Sequence, residues 1–403
     1  MGGTRRRFRR TAGILLLLCL ASASAPSTAA RPRSWLEFRD VVYGQADGEM
    51  LKLDVYSPSE AGSFPALLLI HGGGWSGGNK LQWGGEAPRL AELGFVVFAI
   101  NYRLSPPGGR WHAPAPVDDS LTALQWLEQN GRLFGADTSR VGVLGASAGG
   151  HIGLMLGAAA GVGRVDAVAA WSPPTALDRL NEGLMEPYVA NYVGCSYEEC
   201  PSAHEDASPL YRVGRGSPPT YIAHGAEEFI PLDQARDVAD RLEGAGVERQ
   251  LVIVGGALHA IEFEEQVWES SINFLARHLG TTPPYEPTPP PPPGGPHEPR
   301  PFASTCTITG SAGADWVIGT RGFDFICSGG GDDTIWASDG GDVIRGGPGA
   351  DTLDGGEGDD VLRGGTGNDA LIGRGGNDLL RGGPGGDSCR AGRGRDHRTQ
   401  CEG

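Results

Sequence analysis

Ser147 lies in Gly145-Ala146-Ser147-Ala148-Gly149, directly after the apolar run 141–144 and before a helical stretch. A serine hydroxyl becomes a nucleophile only when a base takes its proton and fixed donors hold the resulting oxyanion. Glycines two residues either side of the serine let the chain turn sharply and expose the hydroxyl at the end of a strand. His71-Gly72-Gly73-Gly74-Trp75 follows a second apolar run, 66–70. The N–H groups of Gly72, Gly73 and Gly74, joined by that of Ala148, are the expected oxyanion donors. In the chain order nucleophile, acid, histidine, the expected base is His259, after the run 251–254 and ahead of a helix. The acid falls in His224-Gly225-Ala226-Glu227-Glu228-Phe229-Ile230-Pro231, where no aspartate is present. Glu228, four residues past His224, is the preferred acid. Glu227 is the alternative, reached by counting back from Pro231. His151 and His224 read as structural. Together these residues suit acyl transfer through a covalent intermediate.

A second pattern implies metal binding. Ten aspartates, from Asp315 to Asp396, stand nine residues apart within repeats such as Gly346-Gly347-Pro348-Gly349-Ala350-Asp351-Thr352-Leu353-Asp354. The glycines allow tight turns and free their carbonyls; the aspartate supplies a hard oxygen suited to Ca²⁺. Asp324, Asp333, Asp342, Asp351, Asp360, Asp369, Asp378 and Asp387 are the expected ligands. The eighth position points inward, from Val317 and Ile326 through Leu380, until Cys389 and Arg398 end the apolar ladder. Strands this short fold only by stacking, so calcium is expected to be structural. A parallel β-roll is the architecture that this period predicts.

The elements that must position Ser147 alternate. Apolar runs at 66–70, 95–100, 141–144, 165–171, 221–223 and 251–254 suit strands buried on both faces. Helical patterns at 86–93, 118–128, 232–242 and 264–278 separate them. The expected fold class is α/β, a sandwich with a mostly parallel sheet, followed by an all-β roll. The alternating stretch 51–56 predicts a half-exposed antiparallel strand near the sheet edge. Residues 172–217 read as an insertion over the site, with Trp171, Met185, Tyr188 and Tyr192 as candidate lining of an acyl pocket.

The chain has 403 residues and a net charge of −16, which argues against nucleic acid as a partner. Residues 1–30 read as an export signal, with a twin-arginine-like Arg5-Arg6-Arg7 start and an apolar stretch too short to span a membrane. A secreted, extracellular protein is expected. Six cysteines follow the signal and predict Cys195–Cys200, Cys306–Cys327 and Cys389–Cys401 disulfides. The catalytic segment is set at 34–280 and the repeats at 306–403. Between them, 281–301 is proline-rich and reads as an extended linker.

Residues 41–279 resemble the α/β-hydrolase superfamily. More narrowly they resemble the hormone-sensitive-lipase-like carboxylesterases and the bacterial esterases related to feruloyl esterases. The motifs that carry this are His71-Gly72-Gly73-Gly74-Trp75, Asn101-Tyr102-Arg103-Leu104-Ser105, Asp119 with Ala123-Leu124-Gln125-Trp126-Leu127, Gly145 to His151, His224-Gly225 and Leu258-His259. The resemblance implies Ser147 as nucleophile and His259 as base. The glutamate loop departs from it. Residues 310–399 resemble the calcium-binding repeats of RTX proteins. The two resemblances imply a secreted serine carboxylesterase acting on short-chain or plant-polymer-linked esters, with no cofactor for catalysis. They also imply a calcium-dependent accessory domain that associates with a cell surface or polymer. The competing reading is a weak or inactive hydrolase-fold binding or adhesion protein, supported by the missing aspartate.

Overall fold

The structure is a computed structural model and describes residues 33–161, 163–285 and 306–402. The expected export signal and most of the proline-rich linker lie outside the described residues. The first half runs β1 (Trp35–Ala46), β2 (Glu49–Pro58), β3 (Phe64–Ile70), α1 (Glu86–Glu92), β4 (Val96–Ile100), α2 (Ala115–Asn130), β5 (Ala136–Ala146) and α3 (Ala148–Ala159). It continues through β6 (Ala167–Trp171), α4 (Glu186–Val193), α5 (Pro201–Asp206), α6 (Pro209–Arg212), β7 (Thr220–Gly225), α7 (Asp233–Gly244), β8 (Arg249–Val254) and α8 (Glu264–His278).

The sheet order is β1-β2-β4-β3-β5-β6-β7-β8, antiparallel at β1–β2 and β2–β4 and parallel thereafter. Its strands are buried on both faces because helices cover both. Leu68, Ile70 and Phe98 pack with Leu124 of α2 and Ile152 of α3 on one side. Leu67, Leu69 and Val97 pack with Leu90 of α1 and Phe274 of α8 on the other. This is why the central strands read as unbroken apolar runs. The stretch expected as a half-exposed strand is β2, second from the edge and largely buried. β1 lies outside it, and its alternating exposure is that of the true edge strand.

The repeats form β9 (Ile308–Thr309), β10 (Asp315–Ile318), β11 (Phe325–Cys327), β12 (Thr334–Trp336), β13 (Val343–Pro348), β14 (Thr352–Asp354), β15 (Val361–Thr366), β16 (Ala370–Ile372), β17 (Leu379–Arg381), β18 (Ser388–Arg390) and β19 (His397–Thr399). Odd-numbered strands stack into one parallel sheet and even-numbered strands into another, eighteen residues per full turn. Val317, Ile326, Ile335, Ile344, Leu353, Leu362, Leu371 and Leu380 fill the space between them, all fully buried. The far end closes at Cys389, which is disulfide-bonded to Cys401. The other two expected disulfides, Cys195–Cys200 and Cys306–Cys327, are also formed.

The repeats are expected as a segment apart from the α/β one, yet one sheet runs through both. β10 pairs with β8 in parallel, Asp315 opposite Leu251 through Ile318 opposite Val254, so the even-numbered strands extend the sheet to thirteen. Val317 and Ile335 share a core cluster with Leu242, Leu251 and Ile253. β8 would otherwise be an exposed edge offering unpaired N–H and C=O groups. No helix among the described residues is long and apolar enough to cross a membrane.

Candidate active site

Ser147 caps α3 with φ 54° and ψ −120°, a conformation that only a tightly determined turn holds. The flanking glycines are required by contact. A Cβ on Gly145 would lie 2.2 Å from the Gly149 carbonyl oxygen, and one on Gly149 would lie 2.0 Å from that of Ile70. The Ser147 N–H donates to Trp171 O at 2.7 Å, tying the elbow to β6.

The Ser147 hydroxyl donates to His259 Nε2 at 2.9 Å. His259 Nδ1–H donates in turn to Glu228 Oε2. The other carboxylate oxygen of Glu228 accepts from Ser172 Oγ at 2.6 Å and from the Gly225 N–H at 3.0 Å. The Glu228 carboxylate is therefore buried but fully engaged. Glu227, the alternative acid, is exposed and takes no part in this chain of contacts. His224 Nε2–H donates to Ile230 O at 3.0 Å, which pins the acid loop, and burial holds its imidazole below the usual histidine range. His259 is kept in place from its own side. Its N–H donates to Glu262 Oε2 at 2.9 Å, and the Phe229 ring lies 4.3 Å from the imidazole centroid.

The oxyanion loop requires one correction. The Gly72 N–H donates to Gln82 Oε1 at 2.7 Å and so is not free for a substrate oxygen. Among the described residues, the N–H groups of Gly73 and Gly74 meet no protein acceptor. That of Ala148 belongs to the first turn of α3, which has no intrahelical partner. The loop itself is rigid. Tyr102 O–H donates to His71 O at 2.9 Å, and the two rings stack at 4.3 Å. Trp75 Nε1–H donates to His151 Nδ1 at 3.2 Å, while His151 Nε2–H donates to Ala207 O at 2.8 Å. His151 thus joins three segments as a neutral imidazole, burial pushing it down to about 4.

The residues expected to line an acyl pocket divide. Trp171 and Tyr192 are fully buried, packed on Trp83 and Trp75, and Met185 is in the core. Only Tyr188 reaches the site, lying against Gly74. Gln82 and Ser172 were not singled out from sequence. Ser172 ends an apolar strand, as His71 does, and that position was its one signal.

Seven aspartates of the roll, Asp333, Asp342, Asp351, Asp360, Asp369, Asp378 and Asp387, share one environment. Each Oδ1 accepts the backbone N–H of the aspartate eighteen residues earlier, as Asp342 N–H donates to Asp360 at 2.8 Å. Each Oδ2 is buried without a donor. It faces a turn where oxygens converge: a Cβ on Gly346 would lie 2.3 Å from Asp351 Oδ2 and 2.6 Å from the Gly364 carbonyl oxygen. Burial pushes Asp342 up to about 9, Asp360 to about 8 and Asp333 to about 7. Donor-free carboxylate oxygens beside carbonyls fit a hard cation. No three His, Cys, Asp or Glu side chains cluster among the described residues, so such a cation leans on the carbonyls as well. Asp324, expected among the ligands, differs: its Oδ2 accepts from the Thr320 N–H at 2.6 Å and hydroxyl at 3.0 Å. Thr320 stands where most repeats carry glycine.

Comparison with known proteins places this geometry. The BD-FAE family profile matches residues 53–242. Ethyl acetate hydrolase of Pseudomonas putida is 31% identical over 234 residues, covering 53% of this chain and 72% of that protein. The chain belongs to the esterase family of α/β-hydrolases. Esterase LipC of Mycobacterium tuberculosis is likewise 31% identical, over 53% of this chain and 57% of that protein. The chain thus spans little more than half the length of several curated relatives that it matches. A thermophilic esterase of Thermogutta terrifontis superposes with a TM-score of 0.50 at 25% identity, covering 59% of this chain and 91% of that one. The RTX calcium-binding nonapeptide repeat matches four times between residues 309 and 397. An esterase-family segment is therefore joined to RTX repeats in one chain.

Proposed function

We propose that this chain is a secreted serine carboxylesterase that works through an acyl-enzyme, with Ser147 as nucleophile, His259 as base and Glu228 as acid. The observation that carries this is the unbroken contact from the Ser147 hydroxyl through His259 to the buried Glu228 carboxylate. Ser147 Oγ attacks the ester carbonyl while its proton passes to His259 Nε2. The carbonyl oxygen becomes an oxyanion held by the N–H groups of Gly73, Gly74 and Ala148. His259 gives the proton to the leaving alcohol oxygen as the C–O bond breaks. Water, deprotonated by His259, then attacks the acyl carbonyl and restores Ser147. The Glu228 carboxylate orients the imidazole and stabilises the imidazolium.

The substrates proposed are short-chain acyl esters, including acyl groups carried on plant polymers. Support comes from the likeness to an ethyl acetate hydrolase, and the Tyr188 ring lies against Gly74 of the oxyanion loop. Asp333, Asp342, Asp351, Asp360, Asp369, Asp378 and Asp387 are proposed to hold Ca²⁺, whose charge neutralises buried carboxylates and thereby stabilises the roll. Purified protein should hydrolyse p-nitrophenyl acetate and butyrate, and Ser147→Ala should abolish this with the fold intact. Equal turnover by the variant would remove the proposal.

A further inference from the structure

The odd-numbered sheet of the roll presents two outward rows. Phe325, Val343, Val361, Leu379 and His397 stand in register along one, its first two members buried, and Cys327, Arg345, Arg363, Arg381 and Thr399 along the other. Between them the inward row, Ile326 to Leu380, is buried. Arg345, Arg363 and Arg381 therefore stack on three adjacent strands, roughly 4.8 Å apart. All three are exposed, and none forms an ion pair with a described residue. Arg345 lies over the Phe325 ring at 4.6 Å, and Arg381 donates to Gln400 Oε1 at 2.7 Å. A groove of ≈ 440 Å³ runs beside this row, lined by Val361, Arg363, Leu379, Arg381, His397 and Thr399.

Like charges directly opposite each other on neighbouring strands destabilise a sheet. The cost stands out in a chain of net charge −16, which has ample carboxylates with which to pair arginines. Elsewhere on the roll that pairing occurs, as Arg374 binds Asp354. We infer that the Arg345–Arg363–Arg381 row is a binding strip for a linear, carboxylate-bearing polysaccharide. One guanidinium per strand meets a periodic anion, and long arginine side chains absorb the mismatch in repeat. The parallel Val361–Leu379 row offers an apolar floor for the C–H faces of sugar rings.

Two other polyanions fit less well. An anionic membrane would need several projecting apolar side chains, and of this face only Leu379, 39% exposed, qualifies. Single-stranded nucleic acid would need exposed aromatic rings on which bases stack, and Phe325 of this face is buried. The strip lies on the sheet that does not join the esterase segment. A polymer held there would keep the enzyme beside further esters on the same material.

The test uses the full chain loaded with Ca²⁺. Polygalacturonate and neutral dextran are compared as affinity-electrophoresis ligands, with phosphatidylglycerol vesicles as a third arm. Retardation by polygalacturonate alone is expected, weakening with salt. The triple variant R345Q/R363Q/R381Q should bind about tenfold more weakly. R345K/R363K/R381K should keep most of the binding, and both variants should hydrolyse p-nitrophenyl acetate as the parent does, which shows that they fold. Equal binding by the glutamine variant, equal binding of dextran, or binding to vesicles without binding to polygalacturonate would each overturn the inference.

Discussion

Arg249, on the last strand of the esterase sheet, donates through Nη1 to Asp315 Oδ1 at 3.0 Å, the first aspartate of the nine-residue ladder. Both side chains are almost fully buried. The same guanidinium reaches Ser311 Oγ at 3.0 Å, and the Gly255 N–H donates to Ile318 O at 2.7 Å. Gly255 opens the loop that ends at His259. The first turn of the roll is thus built against the base of the segment carrying the imidazole.

Calcium removal should therefore be felt beyond the repeats. Chelation is expected to lower the β signal of the roll in circular dichroism and also the melting temperature of the esterase segment. Arg249→Ala should lower that melting temperature with calcium present, since breaking a buried pair costs roughly 3–5 kcal/mol. Differential scanning calorimetry separates the outcomes. An esterase transition unmoved by chelation would mean that the β8–β10 pairing contributes nothing to stability.

The two glutamates should separate cleanly. Glu228→Gln keeps the shape of the buried side chain but loses the charge that stabilises the imidazolium, so kcat should fall by about 10⁴. Glu227→Gln, at an exposed position, should leave kcat within about twofold of the parent. Ser172→Ala removes one donor to Glu228 and should lie between them. Steady-state kinetics on p-nitrophenyl butyrate measure all three, and a large loss in Glu227→Gln would reverse the assignment.

Gly73→Ala probes the oxyanion loop. With φ at 112°, an alanine there is strained, and its Cβ would lie 2.4 Å from the Gly77 carbonyl oxygen. The loop must shift, and loss of one donor is expected to lower kcat by about 10²–10³. Gln82→Ala leaves the Gly72 N–H without its partner and frees it toward the site. Its effect should be far smaller, because Gly72 is not among the proposed donors. A larger loss in Gln82→Ala than in Gly73→Ala would restore Gly72 to the donor set.

The central strands, the elbow and the His259 position were legible because each is local. An unbroken apolar run, a glycine two residues from a serine, and a histidine after a late strand all lie within short windows of sequence. The roll was legible because its period repeats. What was not legible depends on contacts across the fold. Gln82 bonds Gly72 from a short helical turn ten residues on, and nothing in its neighbours marks it. Tyr192 and Trp171 look like pocket aromatics in sequence, but they pack into the core once Trp75 and Trp83 arrive from other segments. The junction of β8 with β10 spans more than sixty residues and a proline-rich stretch, so periodicity could not reveal it. The choice between Glu227 and Glu228 turned on a single residue of loop length, and only side-chain placement separates them.

The most direct test is to trap the acyl-enzyme. Protein mixed with p-nitrophenyl acetate, quenched in acid during turnover and digested, should yield one acetylated peptide by mass spectrometry. The modification should lie on Ser147, and it should accumulate in Glu228→Gln if deacylation is slowed more than acylation. Hydrolysis with the acetyl group on another residue, or undiminished in Ser147→Ala, would contradict the account.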